Sequence, residues 1–72
     1  MSDKVEYIYI ELNDNYKIMK LSLLGDYNKD LINLKINSEL LFRRIFPEKS
    51  LEKISNILFL TENELLNKVN KK

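Results

Sequence analysis

Three groupings of side chains in this sequence could do chemistry. Tyr7 and Tyr9 stand two residues apart, and Lys20 can reach the same face across a turn. Two rings and a cation on one sheet surface make a platform on which single-stranded bases stack. Asp26-x-Asn28-x-Asp30 presents side-chain oxygens at the spacing that opens a calcium loop. Arg43-Arg44, followed by Lys49 and Lys53, is the densest run of cations.

Each grouping also has a plainer reading, and the plainer one is favoured. Tyrosine packs well on any pleated surface. Glu11 shares the face of Tyr7 and Tyr9, so a helix or a second subunit covering that face is the expectation. A calcium loop needs Gly at its sixth place and a bidentate Glu at its twelfth; those places hold Leu31 and Asn37, which leaves an Asx-rich turn. Glu39, Glu48 and Glu52 interleave with the cations, as on a solvated helix face with local ion pairs.

Catalysis is disfavoured by what the chain lacks. It has no His and no Cys, and so no imidazole base, thiolate nucleophile or soft metal ligand. Gly25 is the only glycine, so no Gly-rich phosphate loop can form. At 72 residues there is little room for a buried pocket. The expectation is a non-enzymatic domain with no cofactor, no metal and no evident small-molecule substrate.

The charge balance narrows the partners. Twelve basic and eleven acidic side chains leave +1, whereas a dedicated nucleic-acid module carries a visible basic excess. Asp3, Lys4, Glu6 and Glu11 interrupt any signal-peptide core at the N-terminus. No stretch nears the roughly 18 apolar residues of a membrane span. A cytoplasmic setting without membrane contact is expected, and the lack of cysteine suits a reducing compartment. Alanine and glutamine are absent while Asn, Lys and Ile abound, a skew of AT-rich genomes that fits a phage or plasmid-type accessory protein.

The elements that must position these groups follow from periodicity. Lys4 to Leu12 and Tyr16 to Leu24 read as strands joined at Asn13-Asp14-Asn15. A two-residue loop at Asp14-Asn15 puts Ile8, Ile10, Leu12, Met19, Leu21 and Leu23 on one face and sets Ile10 opposite Met19. Tyr7, Tyr9, Glu11, Ile18, Lys20 and Ser22 take the other. Gly25 to Asp30 reads as a turn. Ile32, Leu34 and Ile36 alternate with polar residues, which favours a third strand over 31–36; as a helix from Leu31 to Phe46, the apolar residues would spread right round the axis. From Asn37 or Ser38 the spacing predicts a capped helix with Leu41, Phe42, Ile45 and Phe46 on one side, ended by Pro47. Ser50 can cap a second helix bearing Leu51, Ile54, Ile57 and Leu58. Thr61 and Glu64 match a capping box heading a third, with Leu65, Leu66 and Val69 as its apolar side.

The run from Ile54 to Val69 resembles the helix-turn-helix of LuxR-type regulators. Ile54, Leu58, Phe59, Leu60, Leu65 and Val69 match its apolar positions, Ser55 its small position and Thr61 the cap of its second helix. The resemblance implies a recognition helix from Glu62 to Lys71 entering the major groove of double-stranded DNA. Thr61, Asn63, Asn67, Lys68 and Lys71, with Arg43 and Arg44, would then make the base and phosphate contacts. Two capped amphipathic helices packing into a core would produce the same spacing.

The fold class expected is α+β: an N-terminal antiparallel hairpin or three-stranded meander (about 4–36) followed by two or three short helices (about 38–71), in a single domain. With 44% hydrophobic residues, two packed layers leave an apolar patch over. A regulatory or adaptor domain that binds a protein partner or itself is therefore the leading expectation. Tyr7, Tyr9, Lys20, Phe42, Phe46, Phe59 and Leu66 are its candidate contacts. DNA-binding regulation through residues 54–69 is the alternative.

Overall fold

Ile8, Tyr9 and Ile10 are three consecutive buried residues, so their strand must be covered on both faces. They lie in β1 (Val5–Glu11), the centre of a three-stranded antiparallel sheet whose strands run β2-β1-β3. The computed structural model describes residues 4–29, 31–49 and 51–70, with backbone alone at 26–29 and 31–32. After β1 come β2 (Tyr16–Lys20), a 3-10 segment (Leu21–Lys29), helix α1 (Leu31–Ile45), a 3-10 turn (Pro47–Lys49), β3 (Asn56–Thr61) and helix α2 (Glu62–Asn70). The fold is α+β.

One face of the sheet holds the aliphatic core. Ile8, Ile10, Leu12 and Met19 cluster with Leu24, and with Leu34 and Phe42 of α1. Complete burial of Ile8, Ile10 and Phe42 contributes about 1.5–3 kcal/mol each. Leu21, Leu41, Phe46, Ile54, Ile57 and Phe59 close the margins of this cluster. Helix α2 lies against the opposite face, where Lys68 sits over the ring of Tyr9 and Leu65 is buried. The sheet is thus the middle of three layers.

The hairpin keeps the expected faces but not the expected register. Ile8 pairs with Met19 and Ile10 with Lys17, two residues away from the alignment centred on Asp14-Asn15. Asn13 and Asp14 form the loop, closed by the Leu12 amide donating to the Asn15 carbonyl at 2.8 Å. A slip of two preserves side-chain parity, so the same residues still face the core. Neither Asn13 nor Asp14 takes a positive φ, so the turn does not use the left-handed tolerance of Asx residues. The second strand also stops at Lys20, and Leu23, expected in the core, is exposed. Gly25, at φ 61° and ψ −128°, turns the 3-10 segment through a conformation that L-residues avoid.

Two element expectations are overturned. Residues 31–36 form the first turns of α1, not a third strand. Leu34 enters the core while Ile36 points away at 55% exposure, which accounts for apolar residues all round the axis. Ser38 is no cap: it lies mid-helix, fully buried, and its hydroxyl donates to the Leu34 carbonyl at 2.6 Å. Helix α1 ends before Pro47 as expected, with Arg43 and Arg44 in its last turn favourable to the helix dipole. The third strand is instead β3, in the stretch read as a second helix. Leu51, expected to head that helix's apolar side, is 99% exposed in a turn; Ser50 lies outside the described residues. The first helix of the expected helix-turn-helix is therefore a strand, and only the second, α2, is helical. Its capping box is formed: the Thr61 amide donates to Glu64 Oε1 at 2.8 Å, and the Glu64 amide to Thr61 Oγ1 at 3.2 Å.

Candidate protein-binding surface

The tyrosine face is occupied from within the chain. Tyr9 is 6% exposed, and its ring stacks on Tyr16 with centroids 4.7 Å apart and planes 14° from parallel. Lys68 Nζ lies 5.2 Å from the Tyr9 centroid and 3.7 Å from Glu11 Oε2. Burial, with lesser contributions from Tyr16 and Glu11, raises the Tyr9 phenol above its ordinary value of 10.0. No base can stack on Tyr9 while α2 is in place. Tyr7 pairs with Lys20 at the end of this face. Lys4, Val5, Glu6, Leu21 and Ser22 join them around an open depression of about 300 Å³, lined by both charge signs together with Val5, Tyr7 and Leu21.

The phenylalanines belong to the core rather than to a docking surface. Phe42 is wholly buried, with Phe46 beside it at a centroid distance of 5.7 Å. Lys17, on the core face of β2, caps Phe46 at 5.1 Å. Phe59 is half-buried against the same cluster. Leu66 remains exposed at 48%, as do Asn63 and Asn67 beside it on α2.

The candidate DNA contacts are not brought to one face. Lys68 is engaged with Glu11 and Tyr9, while Glu62 and Glu64 occupy the first turn of α2. Thr61 is committed to its cap. Arg43 pairs with Glu39 at 3.0 Å on α1, on the other side of the sheet, and Arg44 is exposed nearby. Lys71 lies outside the described residues, as does Asp30 of the possible calcium loop. Among the described residues no cluster of three or more His, Cys, Asp or Glu side chains could hold a metal. No helix of the described residues is long and apolar enough to cross a membrane.

The surface that sequence reasoning missed is the outer edge of β3. Its residues, Asn-Ile-Leu-Phe-Leu-Thr, carry no charge, and no strand of the chain pairs with that edge among the described residues. An uncharged apolar edge is a template for another strand. Beside the start of β3, Ile54, Asn56 and Ile57 form a shallow depression with Lys35, Ile36 and Glu39 of α1. Ile36 and Leu40, one turn apart on the outer side of α1, are 55% and 61% exposed. The signal was available in two places: the six-residue uncharged run itself, and the ring of apolar residues around α1. A helix apolar on all sides leaves apolar residues outside whichever face it buries.

No protein family, curated protein or solved structure matches this chain.

Proposed function

We propose that this chain is a small, non-enzymatic regulatory or adaptor domain acting through protein–protein binding. Its contact surface is the outer edge of β3 together with the Ile36 side of α1. The observation that carries this reading is the open edge of β3, six residues without a charge, flanked by an isoleucine that the fold leaves exposed. Backbone groups along such an edge supply affinity, and apolar side chains beside it supply specificity. The absence of His and Cys supports a role without catalysis, and the absence of Cys suits the reducing cytoplasm.

The test is capture of binding partners by the wild-type chain and by two surface variants. Ile36→Lys charges the proposed surface, and Leu66→Asp charges the exposed side of α2. Binding lost in Ile36→Lys and kept in Leu66→Asp supports the reading. The reverse pattern moves the surface to α2 and overturns it. Titration of the labelled protein with a short DNA duplex at low salt completes the comparison. Salt-reversible shifts confined to α2 would replace protein binding with DNA binding.

A further inference from the structure

We propose that the strand received by the β3 edge is β3 of a second copy, paired antiparallel about a two-fold axis at Leu58. This rests on the reading of that edge as a binding surface and names its occupant.

The outward backbone groups follow from the alternation of antiparallel ladders. The bond from Leu12 to Asn15 marks a hydrogen-bonded pair. In the same register Ile10–Lys17 and Ile8–Met19 are bonded pairs too. Even-numbered residues of β1 thus turn their amides to β2, and Tyr7, Tyr9 and Glu11 turn theirs to β3. Their partners Leu60, Leu58 and Asn56 point back to β1. Ile57 and Phe59 are left with N–H and C=O groups directed away from the sheet. One further contact agrees: the Ile57 amide donates to Asn56 Oδ1 at 2.9 Å, a side chain standing in where no strand is present.

Those groups select one register. The Thr61 amide is held by Glu64 Oε1, so a pairing centred on Phe59, which sets Thr61 against Ile57, loses a donor. A pairing centred on Ile57 sets Phe59 against Ser55, outside the strand. Centring on Leu58 matches Ile57 with Phe59 of the other copy, twice over, and asks only that the Ile57 amide exchange the oxygen of its exposed neighbour Asn56 for the partner's carbonyl, leaving the capping box intact. Leu58 then faces Leu58, and Asn56 faces Leu60.

The surface is self-complementary, which argues for a second copy over a foreign chain. No like charges meet along β3, because it has none. Lys35 and Glu39, the latter also holding Arg43 at 3.0 Å, both rim the adjoining depression, so a two-fold operation brings both charge signs from each copy to the same border. Ile36, with Ile57 in the same depression, supplies the apolar flank that an isolated strand pair lacks. The product is a continuous six-stranded sheet.

The experiment uses the chain's lack of cysteine. Leu58→Cys and Leu60→Cys are compared under mild oxidation, beside sedimentation of the wild-type protein over a wide concentration range. Facing residues of a non-hydrogen-bonded pair lie about 4.5 Å apart at Cα, within disulfide reach. The Leu58→Cys variant should therefore cross-link at least roughly tenfold faster than the Leu60→Cys variant, whose thiols are offset. The double variant Asn56→Cys/Leu60→Cys should cross-link as Leu58→Cys does. The wild type should sediment as a concentration-dependent dimer. Equal cross-linking of the two single variants overturns the register, and a wild type monomeric at millimolar concentration overturns self-pairing. If that monomer still captures a partner in an Ile36→Lys-sensitive manner, protein binding survives and self-pairing alone has failed. If it captures none, both have failed.

Discussion

The two edges of this sheet are built differently. Strand β2 has a lysine on each face, Lys17 capping Phe46 and Lys20 exposed opposite Tyr7. Strand β3 has six residues and no charge. Lysines on an edge strand oppose pairing, because a second strand must bury them or set them against their own kind. Both edges flank the same central strand, and they differ in the charge they carry. One edge is closed by charge and the other is left able to accept a strand.

The largest expected effect comes from opening the closed edge. Lys17→Thr/Lys20→Thr keeps β-propensity while removing both lysines. If β3 accepts strands, two open edges on one molecule allow pairing that does not close. Light scattering should then show growth to large species where the wild type stops at a small one. A double variant that behaves as the wild type would show that lysines are not what separates the edges. The next effect comes from closing the open edge. Ile36→Lys places a cation beside β3 at a position already 55% exposed. Self-association by sedimentation should weaken by roughly tenfold or more, since burying an unpaired ammonium is costly. The melting temperature of the dilute protein should stay unchanged. A fall in stability of the dilute protein would place Ile36 in the fold rather than at an interface.

How far the sequence disclosed this arrangement depends on the range of the interaction. The hairpin faces were legible because Ile8, Ile10, Leu12 and Met19 alternate locally, and parity survives a slip of two. The capping box at Thr61 and Glu64 was legible because it is a four-residue interaction. The position of the third strand was not. Asn56 to Thr61 is too short for periodicity to separate strand from helix, and its partner is Glu11 to Val5, some 50 residues earlier. Residues 32–36 alternate like a strand because α1 places Leu34 in the core and Ile36 outside. That pattern counted against a helix only on the assumption that each helix buries one face. The edge surface was hidden for the same reason, since it exists only once β3 is paired with β1 on one side.

Smaller effects bear on what keeps the open edge in position. Helix α2 follows β3 directly, and its cap holds the Thr61 amide. Thr61→Ala should cost about 1 kcal/mol, the usual loss of an N-cap. For a domain of this size that lowers the melting temperature by roughly 4–8 °C. Glu64→Ala removes the acceptor of the Thr61 amide instead, so it should free a donor at the end of β3 and weaken the preference for the Leu58-centred register. Cross-linking in the Leu58→Cys background would then fall relative to cross-linking at neighbouring positions.

The smallest expected effect concerns Tyr9, beneath α2 on the other face. Its phenol is raised above 10.0, first by burial and then by Tyr16 and Glu11, so the folded state favours the neutral form more than the unfolded state does. The sign follows from linkage: stability from this group is complete below pH 10 and is lost as pH rises through the folded value. Unfolding monitored by circular dichroism should show a shallow loss of stability above pH 10, and Tyr9→Phe should remove it. An alkaline loss that persists unchanged in Tyr9→Phe would show that the Tyr9 phenol is not its source.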